Sequence, residues 1–136
     1  MLEGMEFEFK DGQVVSFKAD TNQDVLENQM QMDEGANRLG EVALVAHSSP
    51  ISKMNVVFGS TLFDENASCH FALGSSYAEA IRGGEEMSQA ERLELGANKS
   101  MIHIDFMVGS DKLQVTGYKK DGSAVPVLVN GEFPEF

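Results

Sequence analysis

Ile102-His103-Ile104-Asp105-Phe106 alternates apolar and polar side chains, the two-residue period of a β-strand that turns His103 and Asp105 to one face and three apolar side chains to the other. The extended character runs from Met101 to Val108, so a strand is predicted there. Downstream, Leu113 to Tyr118 and Val125 to Val129 are two further extended runs around Asp121-Gly122, a hairpin turn signal. The other end of the chain repeats this design. Met5 to Phe9 alternates apolar and acidic residues, Asp11-Gly12 supplies a turn, and Val14 to Phe17 resumes the extended pattern.

Between the hairpins the periodicity is largely helical. From Asn22 to Gly35, the residues Val25, Leu26, Gln29, Met30 and Met32 recur at near-helical spacing. An Asp20-Thr21-Asn22 cluster offers the N-cap and Gly35 a stop. Glu41 to Val45 reads as a short buried strand, His47-Ser48-Ser49-Pro50 breaks it, and Met54 to Phe58 reads as another strand. Leu62 to Leu73 is predicted helical, with Gly74 ending it. Arg82-Gly83-Gly84 is a flexible stretch, and Ser88-Gln89-Ala90-Glu91 is a capping box that opens a short helix closed by Gly96. Hairpins at both ends and short helices between them predict an α+β fold on a mixed or antiparallel sheet. No repeat, low-complexity tract or linker interrupts the sequence, so residues 1–136 are expected to form a single domain.

Apolar residues make up 42% of the chain and its net charge is -12, the balance of a folded acidic protein rather than a disordered one. The shortage of Lys and Arg argues against nucleic acid as a partner, because phosphates are neutralised by a basic surplus. No apolar run reaches the roughly 18 residues of a membrane span, and Met1 to Lys10 lacks the basic-then-apolar order of a signal peptide. A cytoplasmic protein without a membrane partner is therefore expected. Cys69 is the only cysteine, which rules out an internal disulfide or a thiolate zinc cluster within one chain.

Five residues have the chemistry for a site. His103 and Asp105, side by side on a strand face, either turn toward one metal ion, with a bridge to a second, or form a histidine–carboxylate hydrogen bond at a sheet edge. His70 sits among Ala67, Ala72 and Leu73 and on its own reads as a satisfied core histidine. Tyr77, just past Gly74, reads on its own as a core aromatic with its hydroxyl at the surface. Glu41 heads an apolar run, where an unpaired buried carboxylate is costly, so it reaches solvent or meets a cation. His47 beside Ser48 and Ser49 invites a serine-hydrolase reading, but the G-x-S-x-G elbow is absent. Cys69 and His70 are neighbours on a predicted helix and face different ways, which speaks against a thiol dyad.

Taken together, residues 38–45 (RLGEVALV), 63–70 (FDENASCH), 95–98 (LGAN) and 102–110 (IHIDFMVGS) resemble the thermophilic-type metallo-aminopeptidase family of aminopeptidase T, aminopeptidase S and PepS. The resemblance runs over nearly the whole chain. It implies an aminopeptidase with two divalent metal ions, zinc or cobalt, held by Glu41, His70, Tyr77, His103 and Asp105, with Glu41 as the candidate general base. It also implies peptide substrates with a free amino terminus and a homodimer. Members of that family are longer, with an amino-terminal domain and one more glutamate ligand upstream. The chain is thus expected to be the carboxy-terminal metal-binding part of such an enzyme, with little activity by itself. Two other readings stay open: a non-catalytic metal-binding or oligomerisation module, and another two-metal hydrolase such as an amidase.

Overall fold

The computed structural model describes residues 2–135. Two compact units divide the chain. One comprises the residues up to Glu41 with Ala72–Asp105, and the other Val42–Phe71 with the residues from Phe106 on.

The chain opens with β1 (Glu6–Lys10) and β2 (Gln13–Lys18), an antiparallel hairpin in which Phe7 faces Phe17 across the ladder. Its turn residues Asp11 and Gly12 both have positive φ, 50° and 74°, the condition for the tight primed turn that matches strand twist. Helix α1 (Gln23–Met30) turns Leu26 and Met30 inward, onto a first-unit core that also holds Ala36, Ala72, Leu73 and Ile102. Asn22 precedes the helix in the left-handed region without a side-chain cap bond, and the helix stops at Met30, short of Gly35. Asp33 explains the early end: its carboxylate accepts from Gly35 N at 3.0 Å and from Met101 N at 2.6 Å, an Asx-type alternative to continued helix.

The remaining elements are β3 (Leu39–Ala43), α2 (Pro50–Met54), α3 (Thr61–Asp64), a 3-10 turn (Glu65–Ala67), β4 (His70–Gly74), a second 3-10 turn (Ala78–Ala80), α4 (Gln89–Glu94), β5 (His103–Met107), β6 (Val115–Tyr118) and β7 (Ala124–Leu128). The strands form three small sheets, in the orders β1-β2, β3-β4-β5 and β6-β7. This is the expected α+β architecture with a hairpin at each end. The capping box of α4 is complete: Ser88 Oγ accepts from Glu91 N at 3.3 Å, and Ser88 N donates to the Glu91 carboxylate at 2.7 Å. In the second unit Cys69, Phe106 and Leu128 are buried, and the rings of Phe71 and Phe106 meet edge-on at 5.9 Å. No helix among the described residues is long and apolar enough to cross a membrane.

Three local expectations are corrected. Met54 to Phe58 is not a strand: Ser49 caps α2 by accepting from Ser52 N at 3.1 Å, and Pro50 opens the helix. The Asp64 carboxylate then takes the backbone N–H groups of Phe58 and Ser60, at 2.8 and 3.0 Å, that a strand would have spent on a ladder. Leu62 to Leu73 is not one helix either, since it breaks after Ala67 and resumes as β4, moving His70 from the predicted helix to a strand. All of β4 but Phe71 is buried, and a short run buried on both faces has no period that separates strand from helix. Glu41, finally, lies within β3 rather than at its head, and that strand is only half-buried, with Val42 exposed.

Candidate metal centre

Strands β3 and β5 bring Glu41, His103 and Asp105 together. His103 Nε2 lies 3.4 Å from Glu41 Oε2 and 3.1 Å from Asp105 Oδ1, and the side chains of His103, Glu41 and Asp105 are 19%, 26% and 10% exposed in that order. At the far side of the imidazole, Nδ1 is 2.7 Å from the Ser75 carbonyl oxygen. A carbonyl only accepts, so the ring's proton is assigned to Nδ1, and in the neutral ring Nε2 presents a lone pair. That lone pair faces two carboxylate oxygens. Asp105 Oδ1 is buried and, with Nε2 unprotonated, has no hydrogen-bond donor among the described residues. Three electron-rich atoms turned on one another repel, and only a proton on Nε2 or a cation among them reverses the sign.

His70 opens β4 and is 3% exposed. Its Nδ1 donates to the Ser68 carbonyl at 3.0 Å, which again makes Nε2 the lone-pair atom. Glu41, His103 and Asp105 belong to the first unit and His70 to the second. Tyr77 is exposed on the segment after β4, its ring tilted against that of His103 with centroids 4.9 Å apart.

These donors fit a divalent ion. Imidazole nitrogen and carboxylate oxygen are the borderline ligands suited to zinc and its transition-row neighbours. Each histidine donates its second nitrogen to a carbonyl, the outer-shell bond that orients metal-ligating imidazoles. The buried Asp105 oxygen without a donor is the atom a cation would satisfy.

Other residues raised by the sequence have structural roles. Ser48 gives its N–H and hydroxyl to Glu132 at 2.8 and 2.6 Å, and His47 N donates to Gly131 O at 2.8 Å, fastening one loop to another. Cys69 Sγ is buried and exchanges bonds with Val45 N and O, both at 3.1 Å. The anchoring carbonyls of Ser68 and Ser75 are not foreseeable from the sequence, since a main-chain acceptor leaves no residue-type signal.

Residues 1–133 match the family described as thermophilic metalloprotease, and the chain belongs to that family. It is 46% identical over 133 residues to aminopeptidase 2 of Geobacillus stearothermophilus and 43% identical over 136 residues to aminopeptidase T of Thermus aquaticus. Each alignment takes in 98% of this chain and 32% of the relative, so the chain spans about a third of the length of these curated relatives. Among solved structures, wild-type AmpT from Thermus thermophilus matches with a TM-score of 0.84 at 41% identity, over 97% of this chain and 32% of that one.

Proposed function

We propose that this chain is the metal-binding part of an aminopeptidase that removes the first residue of peptides with a free amino terminus. Glu41, His70, Tyr77, His103 and Asp105 are its metal-facing residues, and two zinc or cobalt ions are its cofactors. The observation that carries the reading is His103 Nε2 turned toward Glu41 and Asp105, with the Asp105 oxygen buried and without a hydrogen bond among the described residues. The aminopeptidase names of the relatives supply the reaction class. The cytoplasm is the setting the sequence leads us to expect, and a homodimeric assembly is what the family resemblance implies.

When bound, divalent ions supply Lewis-acid polarisation of the peptide carbonyl and acidify water. The protein's own part is charge and orientation. Asp105, the least exposed of the three clustered side chains, is the fixed anionic ligand, while Glu41 is the most exposed. Glu41 is therefore the carboxylate placed to take the proton of the attacking water and return it to the leaving amine. The free amino terminus of a peptide, as a neutral amine, would be a further ligand at such a site, which supports exopeptidase selectivity.

The test has two parts. Calorimetric titration of the chain with zinc is expected to show binding that His103→Ala removes. Cleavage of a leucyl peptide by the protein that carries this sequence is expected to stop when the peptide's amino group is acetylated. Equal turnover of the free and acetylated peptides would replace the aminopeptidase with an endopeptidase or amidase, and zinc binding untouched by His103→Ala would remove the site assignment.

A further inference from the structure

The Ser75 carbonyl takes the Nδ1–H of His103 at 2.7 Å, so whatever fixes Ser75 also fixes the side of the ring that faces Glu41 and Asp105. Both neighbours of Ser75 are held by a single residue. Asn98 Nδ2 donates to the Gly74 carbonyl at 2.7 Å and to the Gly35 carbonyl at 2.8 Å. The Asn98 main-chain carbonyl accepts from Ser76 N and Ser76 Oγ, both at 2.9 Å. Ser75 itself is bonded through its N–H to Ile102 O at 2.8 Å. A primary amide carries two hydrogens and both are spent on carbonyls here. An aspartate of the same shape would turn lone pairs on those carbonyls, and a leucine would leave them without a donor. Gly74 has φ +98°, and a Cβ there would overlap the Ile102 carbonyl, so the strand end lies too close to its neighbour for other side chains to share the task.

We infer that Asn98 is a positioning residue for the metal centre: by bracketing Ser75 it holds the carbonyl that takes the Nδ1–H of His103 and so aims Nε2 at Glu41 and Asp105. This rests on the reading of His103 as a ligand, but the anchoring bond it concerns is a property of the metal-free chain. Without the bracket the Ser75 carbonyl swings away, and the ring is free to turn Nε2 out of line with the carboxylates. In the sequence Asn98 stands out only as a member of a four-residue block, because an amide that acts through another residue's carbonyl has no local pattern.

The experiment reads the ¹⁵N shift and the proton exchange of the His103 Nδ1–H group in the metal-free chain, together with zinc affinity by competition. The parent is expected to show that proton hydrogen-bonded and slow to exchange. Asn98→Asp is expected to shift the nitrogen and speed the exchange of its proton, and to weaken zinc binding by about tenfold, the low end of outer-shell effects. His70, tied to Ser68, should keep its shifts. Ser88→Ala, which loses a helix cap elsewhere in the chain, serves as a stability control and should lower Tm without moving His103. An Asn98→Asp chain that folds with the parent's His103 shifts would overturn the inference and leave Asn98 a structural residue. If that variant does not unfold cooperatively, Ser76→Ala takes its place: it removes one bond to Asn98, should give a smaller shift in the same direction, and no shift would again overturn the inference. A parent that binds no zinc would sink the metal reading, while the result at the Nδ1–H group still decides the role of Asn98.

Discussion

His70 and His103 each give a proton from Nδ1 to a main-chain carbonyl, yet they find that carbonyl in different ways. For His70 it is Ser68, two residues back along the chain, at 3.0 Å. For His103 it is Ser75, separated by 28 residues, at 2.7 Å. The local tie needs only the turn into β4. The distant one needs the end of β4, the segment from Asn98 to Ile102 and the start of β5 all in register, and it is no better ordered than they are. The more buried histidine is therefore oriented by local geometry, and the more exposed one by tertiary structure. Disturbances far along the chain should reach His103 first.

The largest expected effect treats the two alike. His70→Ala and His103→Ala should each weaken zinc binding by more than about a hundredfold, because loss of an outer-shell bond alone costs about 10–100-fold. The fold should survive in both, as read by far-UV circular dichroism. A titration in which one variant binds as well as the parent would show that the two histidines do not serve one centre, and the comparison would lose its basis.

Gly74→Ala should separate them. A Cβ at Gly74 overlaps the Ile102 carbonyl and must adopt φ +98°, so a loss of about 3 kcal/mol is expected from strain and displacement together. The displaced atoms are those that hold Ser75, so the imidazole shifts of His103 should move while those of His70 stay. Movement of both, or of neither, in a chain that still unfolds cooperatively would erase the distinction between local and distant anchoring.

The same distinction explains what is legible in the sequence. Asp11-Gly12 and Asp121-Gly122 announce their hairpins, and Ser88 with Glu91 announces α4, because those signals are complete within four residues. The two-residue period alone places His103 and Asp105 on one strand face. The run from Leu62 to Leu73 reads wrongly as one helix, because residues buried on both faces carry no period. The segment from Met54 to Phe58 reads wrongly as a strand for its apolar content, since nothing local reveals that Asp64 takes the N–H of Phe58. The cost of burying a carboxylate singles out Glu41, but its approach to His103 depends on strand pairing that no single segment encodes.

A smaller effect should miss both histidines. Ser88→Ala removes the oxygen that caps α4, a change worth about 1 kcal/mol. Urea unfolding should register that loss, while zinc affinity and both sets of imidazole shifts stay at the parent's values. A change in zinc affinity would mean that α4 is coupled to the centre and that distant anchoring extends further than Ser75 and Asn98.

The smallest effect depends on pH and concerns the segment that leads into β5. Asp33 accepts hydrogen bonds from Met101 N at 2.6 Å, Ser100 Oγ at 3.1 Å and Gly35 N at 3.0 Å. The bond from Met101 is the main reason its carboxyl sits below the usual range, with Ser100, Gly35 and Ala36 adding to it and burial acting in the opposite direction. Because the folded-state value is depressed, Asp33 contributes stability that is fully present above the unfolded-state value, about 4. That contribution is lost as pH falls through the lower folded-state value. An asparagine side chain does not titrate in this range, so in Asp33→Asn the stability gap from the parent should be widest at neutral pH and narrow steadily below about pH 4. Urea unfolding of both chains across that range measures the gap directly. A gap that stays constant with pH would show that the charge of Asp33 does not hold the Ser100–Met101 backbone, and the path by which distant structure reaches His103 would then run through Asn98 alone.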